Sequence, residues 1–180
     1  MKRVLLTGMS GTGKSTVVAA LAARGYKAVD LDTDEWSHWV PVSGNAGQDD
    51  VPPTWTAATQ DPGSIWQNWD WVWREDRIQH LLSTEDAELL FVSGCASNQG
   101  KFRRQFDHVV LLSAPTEVIV ERLATRTTNP YGKHPYELAR VLGDIETVEP
   151  LLRRGATLEV DTSAPVEQVV ETILDLVRRV

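Results

Sequence analysis

The segment Gly8-Met9-Ser10-Gly11-Thr12-Gly13-Lys14-Ser15 constrains this chain more than any other. It matches G-x-x-x-x-G-K-[ST] at every fixed position. The apolar run Val4-Leu5-Leu6 precedes it, and Val17, Val18, Leu21 and Ala22 recur at helical spacing after it. Strand, glycine turn and helix in that order form a P-loop context, which argues against a glycine-rich turn with an incidental lysine. Glycines let the backbone fold into a nest of inward-pointing N–H groups, and the following helix adds its positive end. Gly11, Thr12 and Gly13 then cradle a polyphosphate, Lys14 reaches its β- and γ-phosphates, and Ser15 offers a hydroxyl oxygen to Mg²⁺. Thr16 either helps at the α-phosphate or simply begins the helix.

Beyond the loop, Gly25 stops the first helix, and Lys27 to Asp32 alternates like a strand that ends in the acidic cluster Asp30, Asp32, Asp34 and Glu35. Strand, helix and strand make a βαβ unit with a right-handed crossover. Residues 36–64 are turn-like and rich in Pro and Gly, as a binding loop or lid would be. Helical spacing is expected over Ile65–Leu82 and strands over Leu89–Ser93, His108–Ser113 and Thr157–Val160. Helices are expected over Gln99–Phe106, Thr116–Thr125, Tyr136–Arg154 and Pro165–Arg179. Five strands that are apolar throughout, each followed by a helix, imply a parallel sheet covered on both faces. One domain over 1–180 is expected, with an acceptor-binding region at 36–82 and a lid at 127–135.

Lys and Arg number 18 against 25 Asp and Glu, a formal charge of −7, so a broad nucleic-acid surface is not expected, although a local basic pocket remains compatible. The single cysteine, Cys95, excludes an internal disulfide, and no Cys/His spacing suggests structural zinc. The opening residues fit neither a signal peptide nor a membrane span, so a soluble cytoplasmic protein without a membrane partner is expected. The sequence leaves the oligomeric state open.

Asp32 and Asp34 fall at the carboxyl end of the second strand, the edge where open α/β sheets bind ligands. With period two they share a side, one towards Mg²⁺ and the other towards an acceptor hydroxyl. The alternative is an acidic cap for a helix beginning near Glu35. Together with the loop, Asp32-Thr33-Asp34, Ser93-Gly94 and Glu121-Arg122-Leu123-Ala124-Thr125-Arg126 resemble the shikimate kinase and gluconate kinase group, within the nucleoside monophosphate kinase-like P-loop fold. The resemblance implies a three-layer α/β domain whose five-stranded parallel sheet has order 2-3-1-4-5, with helices on both faces and a lid. It also implies ATP with Mg²⁺ and transfer of the γ-phosphoryl group to a small acceptor.

Carried over by position, Asp32 corresponds to the magnesium-side aspartate and Asp34 to the aspartate that orients the acceptor hydroxyl. Arg122 corresponds to the arginine against adenine, and Arg126 to a lid arginine on the phosphates. Lys14, Asp34 and Arg126 form the implied catalytic set. Arg74 follows Trp73 much as an acceptor-binding arginine follows an aromatic residue in shikimate kinases. With Arg77 it would pair with an acceptor carboxylate or phosphate, unless Glu75 and Asp76 draw both into a surface network. Asp161 to Pro165 occupies the place of the adenine loop. Gly94-Cys95-Ala96-Ser97-Asn98 lacks the glycine triplet of shikimate kinases, which argues against shikimate and towards the gluconate kinase pattern. Of seven Trp, Trp66, Trp69 and Trp73 would share a helix face, either packed on the sheet or forming an acceptor wall. Two rival functions stand beside the small-molecule kinase: a nucleoside monophosphate kinase, and an ATP-binding switch.

Overall fold

A computed structural model describes residues 1–42 and 69–179 of the chain. In chain order they form β1 (Lys2–Thr7), α1 (Lys14–Ala23), β2 (Lys27–Asp30), β3 (Ser37–Pro41), β4 (Trp69–Trp73), α2 (Glu75–Ser83) and β5 (Leu89–Ser93). A 3₁₀ helix (Gln99–Gln105) and β6 (His108–Ser113) follow, then α3 (Thr116–Thr125), α4 (Pro135–Thr147), α5 (Glu149–Gly155), β7 (Leu158–Asp161) and α6 (Val166–Arg178).

The main sheet is wholly parallel in its pairings, with order β2-β5-β1-β6-β7. Counting only its own strands, that is the 2-3-1-4-5 order implied by the sequence. Alternation along β1 splits the core into two layers, since Val4 and Leu6 face one side and Leu5 the other. The first side buries Phe91, Val110 and Leu112 against Val17 and Leu21 of α1 and Val170, Ile173 and Leu174 of α6. The second buries Leu90, Val92 and Val109 against Ile78 and Leu82 of α2, Trp73 and Phe102. This three-layer arrangement brings the carboxyl ends of β1, β2 and β5 together at one edge.

Three expectations need correction. The helix expected over Ile65–Leu82 begins only at Glu75 within the described residues; Trp69–Trp73 is instead β4, paired antiparallel with β3. Trp-Asp-Trp-Val-Trp places a large aromatic at every second residue, and such residues favour a pleated, half-buried surface over a helix. Trp69, Trp71 and Trp73 therefore share a face with Trp39, whereas Trp66 lies outside the described residues. Among the described residues the strand β3 follows β2, and no helix begins near Glu35, which removes the helix-cap reading of the aspartates. The long helix expected over Tyr136–Arg154 breaks at Val148 into α4 and α5, because Pro150 has no N–H to continue the ladder.

Candidate active site

The loop between β1 and α1 is built from backbone. A β-carbon on Gly8 would lie 2.3 Å from the Leu112 carbonyl oxygen, and Gly13 caps α1 at φ 88°, a left-handed conformation that favours glycine. Thr12 is fully buried, and its hydroxyl donates to the Met9 carbonyl at 2.8 Å. Thr12 therefore shapes the loop from inside with its side chain, which leaves its backbone as the part that can join the nest expected of Gly11, Thr12 and Gly13. Lys14 curls over the loop, donating to the Gly8 and Met9 carbonyls at 2.9 and 3.3 Å, and lies 3.4 Å from Asp32 Oδ2. Ser15 and Thr16 open α1 on the exposed side and line a cleft of about 390 Å³ with Gly11, Gly13, Lys14, Asp32, Arg122 and Arg126.

The acidic cluster divides according to where β2 ends. Asp30 is its last residue, opposite Ser93, and accepts from Ser15 Oγ at 2.5 Å and from Ser93 Oγ at 3.1 Å. Asp32 turns into the cleft, where its Oδ1 accepts the Cys95 N–H at 3.1 Å. The hydroxyl of Ser15 thus meets Asp30, two residues before the aspartate assigned to the metal side, and Asp32 faces Lys14. Among the described residues no three His, Cys, Asp or Glu cluster tightly enough to hold a metal by themselves. Ser15 with Asp30 and Asp32 is a hard-oxygen set of the kind that holds Mg²⁺ when phosphate oxygens and waters complete the shell.

Arg122 and Arg126 leave α3 towards the same loop. Arg122 donates to Thr162 twice, to its hydroxyl at 3.0 Å and its carbonyl at 2.6 Å. The Thr162 hydroxyl in turn donates to the Thr12 carbonyl at 2.8 Å, so one buried side chain ties the end of β7, the P-loop and Arg122 together. Thr162 lies in the Asp161–Pro165 segment expected at the adenine loop, although the sequence gives this residue no role of its own. Arg126 donates to Ser10 Oγ at 3.2 Å and to the Tyr131 carbonyl, while its Nε is buried without a partner. Burial depresses its basicity and the nearby Glu137 opposes the change. Glu137 accepts the N–H groups of Gly132 and His134 at 2.8 and 3.2 Å, fastening the 127–135 turn to α4.

A family model described as an AAA domain, AAA_18, matches residues 4–143. The chain belongs to that family. None of the curated proteins matches it by sequence. Among solved structures, it is similar to a shikimate kinase from Acinetobacter baumannii in complex with shikimate, at 17% identity and a TM-score of 0.62, covering 99% of this chain and 94% of that one. A gluconokinase from Sinorhizobium meliloti 1021 is similar at 21% identity and a TM-score of 0.50, covering 94% and 87%. Deoxyadenosine kinase from M. mycoides with bound dATP is similar at 12% identity and a TM-score of 0.57, covering 99% and 100%. At these identities the likeness establishes the three-layer P-loop kinase fold.

The remaining expected acceptor residues do not gather at Lys14. Asp34 is exposed and does not line the cleft; its backbone carbonyl accepts from Arg74 Nε at 3.3 Å. Arg77 donates to the Glu35 carbonyl at 2.9 Å. Both arginines thus brace the turn that carries Asp32 to Ser37. Arg74 also lines a separate cleft of about 440 Å³ on the other face of the hairpin, with His38, Val72 and Lys101. The aromatic face contains the Trp39–Trp71 pair, with centroids 5.1 Å apart, and the Arg140 guanidinium lies 5.8 Å over Trp39. Near Asp32, burial pushes the Cys95 thiol up to about 11, so Cys95 stays a protonated filler and not a nucleophile. Among the described residues no helix is long and apolar enough to cross a membrane.

Proposed function

We propose that the chain is an ATP-dependent small-molecule kinase that transfers the γ-phosphoryl group to an acceptor hydroxyl at Asp32. The observation that carries this is the contact between Lys14 and Asp32 at the mouth of the P-loop, 3.4 Å apart. It puts the phosphate-binding cation and a hydroxyl-orienting carboxylate at one point. Phosphoryl transfer needs charge neutralisation and alignment more than covalent help from the protein. Gly11, Gly13, Ser15 and Thr16 cradle the phosphates with Lys14, Arg122 flanks the base, and Arg126 reaches the transferring group as the 127–135 lid closes. Mg²⁺, bound with the nucleotide, neutralises phosphate charge; Ser15 and Asp30 are the residues that would hold it, with Asp32 beside them. Asp32 accepts the hydrogen bond of the acceptor hydroxyl and takes its proton as the new oxygen–phosphorus bond forms and the bond from the γ-phosphorus to ADP breaks. Its position supports that role better than the exposed Asp34 does.

The acceptor class is read from the β3–β4 strand pair and α4, where Trp39 packs on Trp71 and Arg140 lies over Trp39. Trp39 and Trp71 offer aromatic faces, and Arg140 with Asp144 adds polar groups from α4. A small polar molecule with an apolar face, such as a polyol or sugar acid, suits those walls. The test is ADP release from Mg·ATP across polyols, sugar acids, cyclitols and nucleoside monophosphates, with Lys14→Met as control. Acceptor-dependent release that vanishes in Lys14→Met supports the kinase. Tight ATP binding with no release across the panel overturns it in favour of a nucleotide-binding switch.

A further inference from the structure

Trp73 is completely buried, yet its indole N–H has no hydrogen-bond partner. A buried donor left unpaired is costly and calls for an explanation. The ring cannot turn away to find one. Asn98 grips the Trp73 backbone from both sides, accepting its N–H at 2.9 Å and donating to its carbonyl at 3.0 Å, and the indole packs on Phe102 with centroids 5.9 Å apart.

The N–H is fixed against Gly94. A β-carbon there would lie 3.1 Å from Trp73 Nε1 and 3.2 Å from Asp32 Oδ1, so a side chain at this position would crowd both the indole and the carboxylate that flank it. Gly94 is not among the glycines at positive φ, so its requirement is room and not backbone freedom. Asp32 is meanwhile held by two other donors, Lys14 at Oδ2 and the Cys95 N–H at Oδ1. On the kinase reading Lys14 turns to a phosphate, and Asp32 then loses its 3.4 Å contact with that ammonium. Of the buried polar atoms without a partner, Trp73 Nε1 is the one that Gly94 brings up to Asp32.

We infer that Trp73 is a positioning residue: its indole N–H takes hold of the Asp32 carboxylate when Lys14 leaves for phosphate, across the gap that Gly94 keeps open. A neutral donor with no proton to lose keeps Asp32 negative and aimed at the acceptor, where a second cation would blunt it. The purpose of this exchange rests on the kinase reading, but its test needs no nucleotide, so the two can fail separately.

The test is the ¹H–¹⁵N indole spectrum of the full chain, with the Trp73 signal identified by its loss in Trp73→Phe or by its Overhauser contact with the Gly94 α-protons. In Lys14→Met without nucleotide, that proton moves downfield as it bonds a carboxylate, and the Lys14→Met/Asp32→Asn double variant abolishes the movement. A signal that stays in place in Lys14→Met, or that moves equally when Asp32 is Asn, overturns the inference. In turnover assays Trp73→Phe lowers kcat about tenfold and leaves ATP affinity within about twofold. An unchanged kcat likewise counts against it.

Discussion

The two sides of the cleft are made of different materials. The nucleotide side consists of backbone: Gly8, Gly11 and Gly13 at positive φ, the first turn of α1, and a carbonyl-and-hydroxyl knot around Thr162. The side proposed for the acceptor consists of side chains on a strand pair and a helix, Trp39 packed on Trp71 with Arg140 over Trp39. A backbone site demands fixed glycines at fixed spacing and so shows itself as a motif. A side-chain site can be assembled from many residue types on many elements, and nothing in the chain announces which of them converge.

Five substitutions probe that contrast, in order of falling effect. Lys14→Met removes the cation of the backbone site, and acceptor-dependent ADP release falls by roughly 100- to 1000-fold while the fold, read by circular dichroism, is kept. Thr162→Val strips the hydroxyl that joins Arg122, Thr12 and Ser113. It leaves buried groups unpaired, so ATP affinity falls about tenfold by calorimetry, with kcat for the acceptor step less affected. Arg74→Ala and Arg77→Ala act on the turn beneath the acceptor side; acceptor KM rises no more than about threefold, because each guanidinium is engaged with backbone carbonyls near the surface. A larger rise in KM would return an acceptor-binding role to them.

The smallest effect is on stability against pH. Burial raises the Asp144 pKa, with Arg140 opposing. A raised folded-state value favours the native state while the carboxyl is protonated, and that advantage is lost as pH rises through the folded pKa. Asp144→Asn, which mimics the protonated form, therefore unfolds at a slightly higher temperature than the parent at neutral pH. Well below pH of about 3.9, where Asp144 is protonated in folded and unfolded chains alike, the melting temperatures converge. A gap that persists in acid would assign the effect to packing.

The sheet was legible because buried parallel strands read as continuous apolar runs; Leu89–Val92 and Val109–Leu112 leave little choice. The P-loop was legible because its chemistry is its spacing. The acidic cluster was not, since Asp30, Asp32 and Asp34 all satisfy a period of two and only the end of β2 opposite Ser93 sets the frame. Sequence similarity put the pair at Asp32 and Asp34; the chain's geometry turns Asp30 to Ser15 and Asp32 to Lys14. The tryptophans misled for a related reason, because Trp66, Trp69 and Trp73 fit a helical period while Trp69, Trp71 and Trp73 fit a strand, and only cross-strand pairing with Ser37–Pro41 decides. Asn98 and Thr162 act on backbone groups distant in sequence, which no local pattern records.

The proposed kinase transfers phosphoryl at Asp32 and not at Asp34. The most direct test is acceptor-dependent ADP release measured side by side for Asp32→Asn and Asp34→Asn at saturating Mg·ATP. Turnover should fall by roughly 100-fold in Asp32→Asn and stay within about twofold in Asp34→Asn. The reverse order, with Asp34→Asn the crippled variant, would contradict the account and restore the acceptor hydroxyl to Asp34.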